Sequence, residues 1–278
     1  MMYRNFYQLN EKPFSLLPDP NYLYMGKKHS MAYSMLEYGL ESEAGFTVIT
    51  GEVGCGKTTL IRHLLNHMPH ELTVGLITNT HKSLGNLLQW IAYAFDLDFK
   101  DKGDAELYQD LVDFMIQKYA QGKRVVIIVD EAQNMEPDVL EELRVFSNIN
   151  ADKYQVLQIV IVGQPELRDV LQRKELRQFA QRVVVDYHIE KLNPDEVKKY
   201  IQHRIKVAGG NPEIFSECAI EAISNSSGGV PRLVNSLADM ALVYGYAENK
   251  HKITSEIVAS IARERSIYGI SNTLSQVG

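Results

Sequence analysis

The chain has 278 residues, 45% of them hydrophobic and 23% charged, with a formal net charge of −6 and only two cysteines. This composition predicts a folded chain with one large domain, or with one large and one small domain. Two cysteines imply no disulfide framework, and we expect a reducing compartment. The N-terminus lacks the apolar core of a signal peptide, and the longest apolar runs are strand-sized, so we expect no direct membrane span.

Strand and helix patterns alternate along the chain up to Tyr187. Short apolar runs rich in β-branched residues predict buried strands at Thr47–Thr50, Leu72–Thr78, Val125–Val129, Val156–Val162 and Val183–Tyr187. Helical patterns accompany them at Met31–Ser42, Thr58–Asn66, Ser83–Phe95, Ala105–Gln121, Pro137–Asn148 and Pro165–Gln172. Five strands separated by helices predict an α/β fold with a mostly parallel sheet covered on both faces.

The strands stop after Tyr187, and only helical patterns follow. These lie at Pro194–Val207, Ser216–Ser224, Val230–Glu248 and Thr254–Ser266. Asn193 and Pro194 form a strong helix start, with Asn as the N-cap and Pro at the first helical position. The sequence therefore predicts a boundary near residues 188–193, between an α/β core and a small helical domain.

A glycine-rich motif connects the first predicted strand to a predicted helix. Its glycines permit positive φ and let backbone N–H groups approach an anion closely, while the helix N-terminus adds partial positive charge. Lys57 would bridge the β- and γ-phosphates of a nucleoside triphosphate, and the Thr58 hydroxyl would ligate Mg²⁺. The predicted nucleotide contacts are Gly51, Glu52, Val53, Gly54, Cys55, Gly56, Lys57, Thr58 and Thr59.

An acidic pair, Asp130-Glu131, directly follows the buried strand Val125–Val129. The carboxyl end of such a strand faces the crevice where α/β sheets bind ligands. Asp130 would hold Mg²⁺, and Glu131 would orient and polarise the attacking water. Together the two motifs predict an Mg²⁺-dependent enzyme that hydrolyses ATP to ADP and phosphate.

Several ordered motifs point to one family, among them Pro13-Phe14-Ser15-Leu16, Asp130-Glu131-Ala132-Gln133, Gly163-Gln164-Pro165-Glu166-Leu167 and Gly228-Gly229-Val230-Pro231-Arg232. On these motifs the whole chain resembles the AAA+ ATPases of the ExeA type, also called the general secretion pathway A type. The resemblance implies a P-loop core with five parallel strands in the order 5-1-4-3-2 and a helical lid. It also implies ATP-dependent self-association into rings or filaments, with the active site shared between neighbours.

The resemblance assigns roles to two further residues. Gln164, after the fourth strand, would sense the γ-phosphate and position water; the alternative is a plain turn residue before Pro165. Arg232, at a helix start in the lid, would contact the nucleotide and couple the lid angle to the phosphate state. The alternative for Arg232, a surface arginine near a helix N-terminus, is disfavoured electrostatically.

In relatives, the region before the fifth strand supplies an arginine finger to the adjacent subunit. A guanidinium opposite the developing charge stabilises the transition state. Arg173, Arg177 and Arg182 all lie in this region, and Arg177 and Arg182 flank the segment Gln-Phe-Ala-Gln. We list Arg177 and Arg182 as catalytic candidates and favour Arg182.

The resemblance divides the chain into four predicted segments: an adenine-covering N-terminal segment and helix (1–44), the AAA+ core (45–190), the helical lid (191–268) and a flexible tail (269–278). Pro18–Pro20 and Tyr22–Tyr24 would cover the adenine, although the aromatic residues could equally pack in the core. Cys55, beside Lys57 at a helix N-terminus, would be a reactive thiol of low pKa; the alternative is a small residue filling a tight slot.

The biological process has two interpretations. In the first, a cytoplasmic ATPase energises or assembles a bacterial envelope system, namely type II secretion, a type IV-like pilus or polysaccharide export. A protein partner would then hold it at the inner membrane. In the second, the chain is a DNA-binding AAA+ regulator of a transposase. The charge of −6 and a neutral lid do not favour DNA. One helix is basic (Lys198, Lys199, His203, Arg204 and Lys206), which leaves DNA open; the alternative is that these residues are placed favourably near the helix C-terminus.

Overall fold

The computed structural model describes residues 2–68, 71–78, 85–151 and 154–268. Its described residues form two compact units. Unit 1 comprises those within 1–29, 53–63 and 190–278, and unit 2 comprises those within 30–52 and 64–189. The predicted tail, 269–278, lies outside the described residues, as does the start of the predicted helix at Ser83. The four predicted domain segments stay predictions.

Unit 2 is built on a five-stranded parallel sheet. Its strands are β1 (Phe46–Gly51), β2 (Leu72–Ile77), β3 (Arg124–Val129), β4 (Leu157–Gly163) and β5 (Val183–Ile189). Their spatial order is β2-β3-β4-β1-β5, which is the predicted order 5-1-4-3-2 counted from the other edge, so that prediction is confirmed.

The burial of the strands follows their position in the sheet. Every residue of the inner strands β1 and β4 is buried, and in β3 only Arg124 is not. Inner strands of a parallel sheet are covered on both faces, which explains why these strands are mostly apolar. The edge strands β2 and β5 are only partly buried.

Seven helices precede or separate the strands in sequence. They are α2 (Lys27–Glu41), α3 (Lys57–Asn66), α4 (Leu87–Ala94), α5 (Asp104–Ala120), α6 (Pro137–Phe146), α7 (Glu166–Leu171) and α8 (Arg177–Ala180). Helices α2 and α3 each begin in unit 1 and end in unit 2. The sequence patterns did not predict α8, nor the short antiparallel pairing of Asn150–Ala151 with Tyr154–Gln155. One apolar cluster forms the core of unit 2 and includes Phe46, Ile127 and Phe179.

Unit 1 is helical. Besides α1 (Met2–Phe6), it contains α9 (Pro194–Val207), α10 (Glu217–Ser227), α11 (Pro231–Ala247) and α12 (Ser255–Tyr268). Helix α9 begins at Pro194 as predicted, with a reciprocal capping box between Asn193 and Glu196. None of the helices in the described ranges is both long and apolar enough to cross a membrane.

A buried arginine fastens the N-terminal segment within unit 1. The guanidinium of Arg204, 6% exposed, donates to the carbonyl oxygen of Pro13 at 2.5 Å and to the Tyr200 hydroxyl at 2.8 Å. It also lies 4.8 Å from the centre of the Tyr22 ring, a cation–π arrangement. Tyr22 is 5% exposed, so this aromatic packs in the core of unit 1, which favours the packing alternative over an adenine-covering role.

Candidate functional site

The glycine-rich motif leaves β1 at Gly51 and turns before α3 begins at Lys57. Gly54 and Gly56 have φ of 78° and 98°, a left-handed region that side chains with a Cβ rarely adopt. Lys57, in the first turn of α3, is 6% exposed. The chain therefore forms a tight turn that delivers backbone N–H groups and a lysine to a helix N-terminus, an arrangement that fits a phosphate group.

Two hydrogen bonds hold carbonyl groups of this loop. The backbone N–H of Arg232 donates to the carbonyl oxygen of Gly54 at 3.1 Å, and Nε2 of His29 lies 2.8 Å from the carbonyl oxygen of Cys55. Because a carbonyl oxygen only accepts, His29 is the donor. Nothing in the sequence pattern assigned His29 a role.

Arg232 lies in the first turn of α11 and contacts the loop. A Cβ at Gly54 would lie 2.3 Å from the Cβ of Arg232, so only glycine fits there. The Arg232 side chain is exposed, and its guanidinium makes no hydrogen bond or ion pair within the described chain. A guanidinium beside a phosphate-binding turn, without a protein counterion among these residues, is suited to bind a phosphate oxygen.

Cys55 is 1% exposed in unit 1. A reactive cysteine requires an accessible thiolate. The burial of Cys55 therefore favours the packing alternative, a small side chain in a tight slot, over the predicted reactive thiol.

The acidic pair lies at the carboxyl end of β3 in unit 2. Asp130 is 4% exposed, and its N–H donates to the carbonyl oxygen of Ile77 at 2.8 Å. The next residue, Glu131, has φ of 56° and ψ of 35°, and its N–H donates to Oδ1 of Asp130 at 2.9 Å. A left-handed conformation at a residue other than glycine is costly and concentrates at functional sites. It gives the two adjacent carboxylates different directions.

Two glutamines hold the Glu131 carboxylate. Nε2 of Gln133 donates to Oε2 of Glu131 at 2.7 Å, and Nε2 of Gln164 donates to the same oxygen at 3.1 Å. The backbone N–H of Gln164 donates to Oε1 of Gln133 at 3.0 Å, which closes the network. Oε1 of Glu131 accepts no hydrogen bond within the described chain, so it is the oxygen that can accept one from water. Gln133 lay in a recognised motif, but sequence reasoning gave it no role.

The three candidate arginines lie in different environments. The guanidinium of Arg182 donates to Oγ of Ser147 at 3.0 Å and to the carbonyl oxygen of Arg144 at 3.5 Å, at the end of α6. Arg173 lies 3.8 Å from a carboxylate oxygen of Glu175. Arg177 is exposed at the start of α8, and its guanidinium makes no hydrogen bond or ion pair with any other described residue.

The two predicted Mg²⁺ ligands are both oxygen donors. Across the described ranges, no group of three or more His, Cys, Asp or Glu side chains could hold a metal ion. The predicted ligands, Thr58 and Asp130, supply oxygen atoms, and Mg²⁺ commonly takes one or two protein ligands together with phosphate oxygens and water. Thr58 in unit 1 and Asp130 in unit 2 stay predicted ligands.

Comparison with known proteins agrees with this chemistry. Residues 40–171 match the family model described as an AAA domain. The General secretion pathway protein A of Aeromonas hydrophila is 41% identical over 266 residues, which is 95% of this chain and 49% of that protein. The chain thus spans about half the length of this curated relative. The predicted resemblance to the ExeA type of AAA+ ATPase is confirmed.

Solved structures share the fold. The ORC2 protein of Aeropyrum pernix, in ADPNP-ADP complexes, is 19% identical with a TM-score of 0.68 and covers 92% of this chain and 72% of its own. Cdc6p of Pyrobaculum aerophilum is 18% identical with a TM-score of 0.68 and covers 94% of this chain and 75% of its own. The RuvB Holliday junction branch migration motor of Thermotoga maritima is 17% identical with a TM-score of 0.56 and covers 88% of this chain and 71% of its own. At such identities the likeness shows the fold alone, which is that of P-loop AAA ATPases.

Proposed function

We propose that this chain, which contains an AAA domain and is related to General secretion pathway protein A, binds ATP with Mg²⁺ and hydrolyses it as an oligomer. The observation that carries the proposal is the held carboxylate of Glu131. Two amides contact one of its oxygens and leave the other available, in a chain that also contains a phosphate-binding turn.

The binding roles follow from the chemistry of each group. The backbone of Gly51, Glu52, Val53, Gly54, Cys55 and Gly56, with Thr59 beyond, surrounds the phosphates. Lys57 neutralises charge on the β- and γ-phosphates, and Arg232 adds a second cation from the start of α11. Mg²⁺, when bound with ATP, neutralises the phosphate oxygens, and Thr58 and Asp130 would hold it.

Hydrolysis depends on one base and its two supports. Glu131 accepts a proton from the attacking water through Oε1, because Oε2 is occupied by amide donors. Gln133 holds the Glu131 carboxylate, and Gln164 contacts both Glu131 and Gln133. A γ-phosphate that bound the Gln164 amide would therefore change the hydrogen bonding of Glu131 directly.

The arginine finger is better assigned to Arg177 than to Arg182. Arg182 bonds to Ser147 and to the end of α6 within its own chain, so moving it would break those bonds. Arg177 is exposed, while Leu176 and Phe179 on either side of it are buried and fix the short helix α8. We propose Arg177 as the residue that completes the site of a neighbouring subunit.

The process we propose is energising or assembling a bacterial envelope system, because the curated relative is named for the general secretion pathway. The chain would then work on the cytoplasmic side and reach the membrane through a protein partner. The alternative, a DNA-binding regulator, has less support. The net charge is −6, and phosphate neutralisation requires basic surface.

Replacement of Lys57 tests nucleotide binding. Lys57→Ala removes the cation that contacts the phosphates, and we expect the Kd of MgATP to rise at least about 100-fold, or roughly 2.7 kcal/mol. Isothermal titration calorimetry would measure it. Lys123→Ala, a lysine distant from the loop in sequence, serves as the control and should bind normally. Tight binding by Lys57→Ala would refute the phosphate-loop assignment.

Replacements at the carboxylate network should give graded losses of turnover. Glu131→Gln should bind MgATP but lower kcat at least about 100-fold, since it removes the base. Gln133→Ala should lower kcat about 10-fold, or roughly 1.4 kcal/mol, with little change in KM, because it loosens the base without removing it. Steady-state phosphate release would measure both. Asn134→Ala, the exposed neighbour, is the control; equal kcat for it and Gln133→Ala would contradict a positioning role.

Subunit mixing distinguishes the two arginines. Arg177→Ala should lose on the order of 10³-fold in kcat, yet a mixture of Arg177→Ala with Glu131→Gln should regain turnover. In that mixture some sites combine an intact Glu131 with an intact Arg177 from the neighbour. Arg182→Ala should instead lower the melting temperature, and the exposed Arg173→Ala should behave as wild type. Absence of recovery in the mixture would remove Arg177 from a role between subunits.

The dependence of turnover on assembly and on DNA distinguishes the two processes. We expect the ATPase rate per subunit to rise with protein concentration, because the finger comes from a neighbour, and to be unchanged by double-stranded DNA at near-physiological salt. Light scattering recorded in parallel would report assembly. Strong stimulation by DNA that weakens steeply as salt rises would instead favour the DNA-binding regulator.

A further inference from the structure

We propose that His29 is a positioning residue for the phosphate-binding loop: its Nε2–H holds the carbonyl of Cys55 and thereby orients the next backbone N–H toward a bound phosphate. This inference rests on the proposed function, since it concerns nucleotide binding by that loop. Nothing in the family comparisons or the sequence motifs assigns His29 this role.

The geometry of the peptide unit carries the argument. A trans peptide is planar, so its C=O and the N–H of the following residue point in opposite directions. The Cys55 carbonyl faces Nε2 of His29 at 2.8 Å, and the Gly56 N–H therefore points away from the imidazole. In the same way, the Gly54 carbonyl accepts a hydrogen bond from the N–H of Arg232 at 3.1 Å, and this bond orients the N–H of Cys55.

The loop needs such anchors because its conformation is easily exchanged. Gly54 and Gly56 have φ of 78° and 98°, and glycine populates positive and negative φ with similar ease. Rotation of the peptide unit between Cys55 and Gly56 would turn the Cys55 carbonyl oxygen toward the phosphates in place of the Gly56 N–H. A hydrogen bond to the Cys55 carbonyl opposes that rotation, so its loss should weaken anion binding more than it weakens the fold.

The surroundings of His29 support a donor role for a neutral ring. His29 is 5% exposed, and burial lowers the pKa of its imidazole. Nδ1 has no hydrogen-bond partner within the described chain. The ring also lies close to the loop: a Cβ placed on Gly56 would be 3.1 Å from Nε2 of His29.

Retention of this ring has a cost. A buried polar nitrogen without a partner lowers stability relative to an apolar side chain of similar size. A purely structural position would be better served by such a side chain. The single bond from Nε2 to the loop is what the imidazole adds.

A matched pair of substitutions tests the inference. Gln and Met have side chains of equal length, but only Gln has a terminal N–H that can reach the Cys55 carbonyl. With ATP and Mg²⁺ in isothermal titration calorimetry, we expect His29→Gln to bind within about threefold of wild type and His29→Met to bind at least about tenfold more weakly than His29→Gln. At saturating ATP, kcat of the two variants should agree within about twofold.

Two controls separate positioning from folding. Ile205→Ala, in the apolar cluster of unit 1, should lower the melting temperature without changing the Kd of MgATP. His29→Asn is too short to reach the carbonyl and should bind like His29→Met, so it replaces that variant if His29→Met does not fold.

The outcomes are distinct. A Gln variant that binds no better than the Met or Asn variant, while wild type binds tightly and Lys57→Ala does not, overturns the role of His29 alone. Wild type that does not bind MgATP overturns the proposed function and this inference together.

Discussion

Burial of the inner strands is the constraint on which the rest of the molecule depends. Every residue of β1 and β4, and nearly every residue of β3, is removed from water, so these strands can carry little chemistry along their length. Besides the buried Thr47, Thr50 and Gln158, the polar groups of the candidate site lie where the chain leaves the sheet. There β1 passes into the glycine-rich loop, β3 into Asp130 and β4 into Gln164, all at the carboxyl edge expected of such sheets.

The loop that follows β1 meets a second constraint. A turn that offers N–H groups to an anion must direct its carbonyls elsewhere, and those carbonyls need donors of their own. The chain supplies them from two places far apart in sequence, the imidazole of His29 and the backbone of Arg232. The start of α11 therefore has two roles in our proposal: it supports the loop through its backbone and contributes a guanidinium through its side chain.

The parts of this arrangement that depend on local pattern could be predicted from sequence. Apolar runs located the five strands, and the resemblance supplied their order. The roles that we propose for Gln133 and His29 could not be found in this way, because each depends on a contact made only after folding: Gln133 reaches Gln164, 31 residues away, and His29 reaches Cys55, 26 residues away. The preference for Arg182 did not anticipate its hydrogen bond to Ser147, since no sequence pattern places the end of α6 beside the segment that precedes β5.

The way the acid is held bears on how turnover could be controlled. In the isolated chain Glu131 already has its supports, because both amides come from the same unit. If Glu131 is the base, as we propose, its preorganisation does not wait for a neighbour. What a neighbour would add is positive charge, and developing negative charge is the larger electrostatic demand in phosphoryl transfer. If Arg177 supplies that charge, each subunit is a nearly complete enzyme held inactive by a missing cation, and assembly rather than rearrangement of the base sets the rate.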